Sequence, residues 1–344
     1  MSARHGTDWN SLDLASLFDA LVRADAESLV ERALAEDLGT GDIHADITRD
    51  RTREITSEMT RDLTSLVSIP ADARGSATIG CRGEGVVAGL RVAEIVARRA
   101  GLSFAAHVED GARVARGSRV ATVGGNLRTL LSHERTMLNF LTLLSGNATL
   151  AARFVDAVRG TRAAVCDTRK TVPGLRTMQK YATRCGGATL HRIGLFDAVL
   201  LKDNHLGAFA AGTLAERVRD ASRRARATGR AAFIECEVDT LAQLDELLAL
   251  CAQEPGALDM ILLDNMDPAT LAEAVRRRDA RAPRVLLEAS GGVRLETVRR
   301  IAESGVDRIS VGAITHSAPA LDLGLDLMIE RPHGSTDGAS ERDR

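Results

Sequence analysis

The chain reads as α/β, with parallel strands wrapped by helices in its second half. Two observations predict this. After Ala163, six short apolar runs (AAVCDTRK, DAVLLKDN, AFIECEV, DMILLDN, RVLLEASGG and RISVGA) alternate with amphipathic segments such as AERVRDASRRARAT and LAQLDELLALCA. Alternation of this kind places parallel strands inside and helices outside. Each run also ends in polar residues, and in a β/α barrel those ends converge on one face.

Taken in order, residues 1–12 and 331–344 are polar and predicted to be disordered tails. Leu14 to Leu38 has helical spacing and stops at Gly39. Asp42–Asp62 is charged without a sustained apolar stripe and reads as an exposed loop or loose helix. From Gly75 to Gly125 the signals are strand and turn, interrupted by the helix RVAEIVARRAG; DGARVARGSRVATVGG suggests a hairpin. Helical spacing resumes at Asn126 and is predicted to break near Ser145-Gly146. Asp267-Pro268 is a helix cap followed by proline at the first helical position.

Composition narrows the function. A 44% hydrophobic content suits a globular protein with a sizeable core. A formal net charge of −2 and 3% aromatic content give no basis for nucleic-acid binding. No apolar run approaches the ~20 residues that span a bilayer. Five scattered cysteines without a C-x-x-C pair suggest reduced thiols and a cytoplasmic protein.

Positive charge is written almost wholly as arginine: only Lys170, Lys180 and Lys202 are lysines. Under a bias toward arginine, a retained lysine marks a place where a compact ammonium is needed rather than a planar fork. Lys170 and Lys202 fit that reading. Lys180, in QKYATRC, is predicted on the exposed side of a helix.

The strand ends hold Asp167, Arg169 and Lys170, then Lys202 and Asp203, Glu237, Asp264, Glu288 and Ser290, and Ser310 and Gly312. Arg135, Arg169, Lys170, His191, Arg192 and Lys202 form a cationic set suited to carboxylates and phosphates. Glu237 and Asp264, with Asp203 and Glu288 nearby, could hold ribose hydroxyls or a hydrated Mg²⁺. The turns Ser290–Gly292 and Ser310–Ala313 follow the last two strands, where barrels often cradle phosphate. Phosphoribosyl transfer to a carboxylated acceptor fits this set. A class I aldolase using Lys202 as a Schiff base fits too, though it leaves the arginines less explained.

EDLGTGD, HERTMLNFLTLLSGNAT, DTRKTVPGLR, KYATRCGG, HRIGLFDAVLLKDNH, ECEVDTL, ILLDN, LEASGG and ISVGAITHSAPALDLGLDL make the chain resemble the quinolinate phosphoribosyltransferases over about Val30 to Met328. The resemblance implies an N-terminal α/β sandwich-like domain (13–145, with return of about 313–330) and a C-terminal open α/β barrel, TIM-like (146–312). It implies formation of nicotinate mononucleotide, pyrophosphate and CO₂ from quinolinate and phosphoribosyl pyrophosphate with Mg²⁺, on the route to NAD. It further implies a homodimer or higher homo-oligomer in which Arg135 reaches the neighbouring subunit's site.

By the same resemblance, Arg135, Arg169, His191, Arg192 and Lys202 would line the quinolinate pocket, beside Thr168. Lys170, Lys202, Glu237 and Asp264 would contact ribose, pyrophosphate and metal and serve catalysis. Ser290, Gly291, Gly292, Ser310, Val311 and Gly312 would hold the 5′-phosphate. The chain departs from the family pattern in a longer stretch between residues 42 and 62, and in Leu190, where Asn often precedes the His-Arg pair. Molybdenum-transport-associated homologues and nicotinate-using enzymes are the nearest alternatives on this fold. A non-catalytic binding protein would be expected to lack Glu237, Asp264 or Lys202.

Overall fold

The computed structural model describes residues 8–39, 62–202, 204–205 and 213–329. The first helical stretch runs through Leu14–Leu17 (α1), a π turn at Phe18–Val22 and Arg23–Leu38 (α2). Asp13 caps it by accepting from the Ser16 N–H at 2.7 Å, and Gly39 ends it at φ 79°. Residues 8–12, expected to be disordered, are instead tied in: Trp9 and Leu12 pack on the core and Asn10 bonds Leu190. The long acidic-basic stretch centred on residues 43–61 lies outside the described residues.

A short helix, α3 (Leu63–Ser68), leads into β1 (Arg74–Cys81), β2 (Gly85–Val86), α4 (Leu90–Arg99), β3 (Ser103–Ala106), β4 (Arg113–Val114) and β5 (Arg119–Asn126). Along β1, Ala77, Ile79 and Cys81 are buried in alternation, the signature of a sheet with one covered face. Helix α4 packs against β3 of the same sheet, and its Val92, Ala93, Ile95 and Val96 are buried. The expected hairpin is not formed. β4 pairs with β2, whereas β5 pairs with β1 and β3, so the two valine-bearing runs serve different sheets.

Helix α5 (Leu127–Ala157) is continuous through Ser145-Gly146, contrary to the predicted break. Gly146 is there for contact: a Cβ would lie 2.9 Å from Ala320 Cα and 3.0 Å from Pro319 C. Ser145, fully buried, accepts the Ala88 N–H at 3.0 Å. The helix is shared by two cores, with Leu130, Met137, Leu141 and Leu144 in the first and Leu150, Ala151 and Phe154 in the second.

The second half is built as its alternation requires: β6 (Ala164–Cys166), α6 (Arg176–Cys185), β7 (Val199–Leu201), α7 (Leu214–Ala227), β8 (Ile234–Val238), α8 (Leu241–Gln253), β9 (Met260–Asp264), α9 (Pro268–Arg281), β10 (Leu286–Ser290), α10 (Leu295–Glu303) and β11 (Arg308–Ser310). Six parallel strands form one sheet in the order β6-β11-β10-β9-β8-β7. Thr189 adds a single parallel bridge beside β6, on its free side. The sheet therefore curls through seven positions, and the segment between Thr189 and β7 crosses the remaining gap. Capping boxes at Thr213/Glu216 and Thr240/Gln243 and the Asp267-Pro268 cap start the outer helices. After α11 (Ala313–His316), β12 (Leu323–Ile329) returns to pair antiparallel with β1, closing the N-terminal sheet as β12-β1-β5-β3.

Candidate active site

The C-terminal strand ends bring most of the expected residues together in neighbouring groups. At the β7 and β8 ends, the Lys202 ammonium is ion-paired to the Glu237 carboxylate. At the β9 end, Asp264 is fixed from the side of β10: Asn265, at φ 53°, donates its backbone N–H to Ser290 O at 2.9 Å and its side-chain amide to Asp264 Oδ2 at 2.6 Å. The turn that receives it needs glycine. Gly291 and Gly292 have φ of 96° and 59°, and a Cβ on Gly291 would lie 3.0 Å from Asn265 N. At the β11 end, Lys170 lies over the Ser310–Gly312 turn, its Cδ 3.2 Å from where a Gly312 Cβ would sit. The Thr315 hydroxyl donates to Lys170 O at 2.8 Å, and Thr168 Oγ1 accepts the Lys170 N–H at 3.0 Å. Val311 is buried and its N–H donates to Cys166 O at 2.9 Å, which sets the same turn against β6.

The remaining cations are Arg169, after β6, and Arg192, in the segment that crosses the gap. Asp167 Oδ1 accepts the His191 N–H at 2.9 Å, which brings the segments bearing Arg169 and Arg192 side by side. Burial, and then the charge of Arg169, lower the proton affinity of Arg192. Arg169 Nε is buried with no hydrogen-bond partner among the described residues. Arg135 stands apart: it is exposed on α5, and no ion pair joins it to the barrel residues among those described. Asp203 lies outside the described residues.

His191 and Glu288 do not sit on the rim. Glu288 and Glu235 are fully buried in the barrel interior, with His191 buried and Arg308 half-buried beside them. The His191 Nε2 is 2.9 Å from Glu235 Oε2 and 3.5 Å from Glu288 Oε1, while its Nδ1 accepts the Arg192 backbone N–H at 2.8 Å. Both ring nitrogens are thus engaged within the protein. Burial disfavours a charged imidazole, but Glu288 and Glu235 outweigh it and raise its proton affinity. The N–H aimed at Nδ1 opposes a second proton, which favours the Nε2–H tautomer. Burial, reinforced by Glu288, pushes the Glu235 carboxyl up; Glu288 itself is drawn down because His191 and Arg308 outweigh its burial.

Two clusters bearing carboxylates come into question for a metal. His191, Glu235 and Glu288 have ligand atoms within 4.8 Å of one another. A metal there would need the Nε2 lone pair, which the tautomer denies it, and Arg308 already donates to Glu288 at 2.8 Å. Glu237 and Asp264 fit Mg²⁺ better: both are hard oxygen donors at adjacent strand ends, a set suited to an ion that keeps several waters. A cavity of about 630 Å³ lies elsewhere, lined by Glu84, Arg113, Thr149 and Arg153 among others, none of them at a barrel strand end.

The sequence reading placed Lys180 wrongly. It is fully buried, and its Nζ donates to Asp167 Oδ1 at 2.7 Å and to His191 O at 3.2 Å. Its own rarity was the available signal, overridden by the polar look of QKYATRC. Glu235 and Arg308 were also missed as interior groups; a charge at an inward-facing position of a parallel strand marks them.

Comparison with known proteins then decides the family. Residues 147–326 match the family model for the C-terminal domain of quinolinate phosphoribosyl transferase, and residues 46–145 match that for its N-terminal domain. This chain belongs to the quinolinate phosphoribosyltransferase family. A nicotinate-nucleotide pyrophosphorylase [carboxylating] of Mycobacterium leprae is 45% identical over 306 residues, covering 88% of this chain and 97% of its own. The nicotinate-nucleotide pyrophosphorylase of Francisella tularensis superposes with a TM-score of 0.73 at 32% identity, over 94% of this chain and 99% of that one. NadC of Streptococcus pyogenes gives 0.74 at 31% identity, over 90% and 99%. As a quinolinate phosphoribosyltransferase-family chain, it is a phosphoribosyltransferase. Its Leu190 departure is accommodated by Asn10, whose side chain accepts the Leu190 N–H at 2.7 Å and donates to Leu190 O at 3.1 Å. No described helix is long and apolar enough to cross a membrane.

Proposed function

We propose that the strand-end site joins quinolinate to phosphoribosyl pyrophosphate, giving nicotinate mononucleotide, pyrophosphate and CO₂ for NAD biosynthesis. The observation that carries the substrate assignment is the His191 N–H bond to Asp167 Oδ1, which brings the Arg169 and Arg192 segments side by side, with Arg169 Nε buried and without a hydrogen-bond partner among the described residues. A small dianion between two guanidiniums relieves their repulsion and supplies the missing acceptors. Quinolinate, with two adjacent carboxylates, has the charge and planarity for this; nicotinate has half the charge.

Lys170 over Ser310–Gly312, and Asp264 beside Ser290–Gly292, suit a sugar phosphate spread across the β9–β11 ends. Backbone N–H groups of those turns, other than that of Val311, which donates to Cys166 O, would take the 5′-phosphate and the carboxylates the ribose hydroxyls. Glu237 and Asp264 would hold Mg²⁺, which when bound supplies charge neutralisation for the leaving pyrophosphate. Lys202 is held by Glu237 between the two substrates. The arginines orient the ring nitrogen toward the anomeric carbon. The carbon–nitrogen bond forms as pyrophosphate leaves, and the ring nitrogen becomes positive. That charge stabilises the electron pair left on the ring when the neighbouring carboxylate departs as CO₂, and a proton takes its place.

Arg135, exposed on α5, would serve a second copy's site in a homodimer or larger assembly. Five free and buried cysteines fit a cytoplasmic setting. The test is incubation with phosphoribosyl pyrophosphate, Mg²⁺ and either quinolinate or nicotinate, measuring CO₂ and mononucleotide. Quinolinate should be consumed with one CO₂ per mononucleotide, and Arg169→Met or Arg192→Met should lower kcat/KM roughly 30-fold or more, as expected for loss of a buried charge-assisted pair. Turnover of nicotinate alone would overturn the reading.

A further inference from the structure

We propose that Asp167 and Lys180, buried behind the site, are positioning residues that hold the two arginine-bearing segments at the spacing a dicarboxylate requires. This rests on the reading that Arg169 and Arg192 bind quinolinate.

The pair joins two segments far apart in local chain path. Asp167 closes β6 and lies two residues before Arg169. His191 lies one residue before Arg192, in the segment crossing the barrel gap. Asp167 Oδ1 accepts the His191 N–H at 2.9 Å, and Lys180 Nζ donates both to that same Oδ1, at 2.7 Å, and to His191 O, at 3.2 Å. Both backbone polar groups of residue 191 are therefore bound to one ion pair, and both partners of that pair are fully buried.

A clamp is needed here because Arg169 and Arg192 repel each other before substrate arrives. A neutral ion pair behind them adds no net charge to the rim, yet in a low-dielectric setting it holds firmly. Asp167 Oδ2 is buried without a hydrogen-bond partner among the described residues, so the carboxylate depends on Lys180 for its charge compensation. Burial pushes the Asp167 carboxyl up and Lys180 opposes that shift, in keeping with the same dependence.

The geometry also answers why this position is lysine in an arginine-rich chain. The two acceptors, Asp167 Oδ1 and His191 O, converge on one nitrogen. A tetrahedral ammonium with three donors meets that arrangement, whereas a planar guanidinium spreads its donors and needs more room than a closed niche offers.

The experiment compares Asp167→Asn, Lys180→Met and the double variant D167N/K180M, measuring KM for quinolinate and for phosphoribosyl pyrophosphate, kcat, and thermal midpoint. Each single variant should raise the quinolinate KM about tenfold or more, while the phosphoribosyl pyrophosphate KM stays within about twofold. The double variant, which leaves no buried charge unpaired, should recover thermal stability more fully than quinolinate affinity. Folded single variants with unchanged quinolinate KM, or with both KM values shifted alike, would overturn the proposal in favour of a purely structural pair. If the singles do not fold, the double variant decides by the same KM comparison; failure of all three to fold would show the pair to be required for the fold itself and would also overturn it. Arg169→Met and Arg192→Met run alongside: if these leave the quinolinate KM unchanged, the substrate reading fails, whereas if they raise it and the pair variants do not, only the positioning role fails.

Discussion

Lys202 and Glu237 meet at the rim through one ammonium and one carboxylate. Lys202 is less than half exposed and Glu237 mostly buried, so a guanidinium at 202 would have to spread into the space meant for substrate. Lys202→Arg should therefore lower kcat by about 100-fold, the scale of losing one well-aimed donor in an active site, without moving the thermal midpoint appreciably. Steady-state kinetics beside a melting curve checks this; near-normal turnover would remove Lys202 from the chemistry. A second residue-scale expectation concerns Glu235, whose carboxyl is raised by burial and by Glu288. The folded form thus keeps a proton that the unfolded chain has released. Its contribution to stability is fully present below the ordinary glutamate value of 4.5 and is lost as pH rises through the folded value. Glu235→Gln keeps an acceptor for His191 and removes the titration. Urea unfolding at intervals from about pH 5 to about pH 8 should then show a less negative slope of stability against pH than the parent protein. An identical slope would mean that Glu235 does not titrate there.

At the scale of elements, α5 is the joint between the two cores, and Gly146 is where the C-terminal segment crosses it. Two effects compete in Gly146→Ala. Helix propensity favours alanine by about 1 kcal/mol. Against it, the new methyl would press on backbone atoms of Pro319 and Ala320, which cannot swing aside as a side chain can. Overpacking costs about 1–3 kcal/mol, so the net effect should be destabilising, read as a lowered denaturation midpoint. A stabilised variant would show that the 319–320 segment moves freely off the helix. The same glycine explains a limit of the sequence reading. All six barrel strands were legible because each apolar run is short and bounded and the runs alternate with amphipathic helices. A helix break was read at Ser145-Gly146 because the reason for glycine there lies more than 170 residues along the chain. The suggested hairpin before Asn126 failed likewise: local alternation marks strands but does not choose their partners.

Across the whole molecule, the rim was readable because strand ends of a barrel must converge, so Lys202, Glu237, Asp264 and the two glycine turns could be grouped without coordinates. The interior layer of Glu235, Glu288, Arg308 and His191, and the Asp167–Lys180 pair, were not, since burial of a charge depends on a partner brought from another element. One expected member, Arg135, is exposed on α5 with no ion pair to the rim among the described residues, and the role proposed for it belongs to the assembly. In a dimer whose two sites each borrow Arg135 from the other subunit, an Arg135→Ala subunit damages its partner's site, and a Lys202→Ala subunit damages its own. A mixed dimer then gathers both lesions in one site and leaves the other intact. Each variant alone should be nearly inactive, yet equal mixing after reversible dissociation should restore about a quarter of the parental activity, because half the dimers are mixed and each has one sound site. Activity of the mixture no greater than the sum of the separate variants would place Arg135 outside the partner's site.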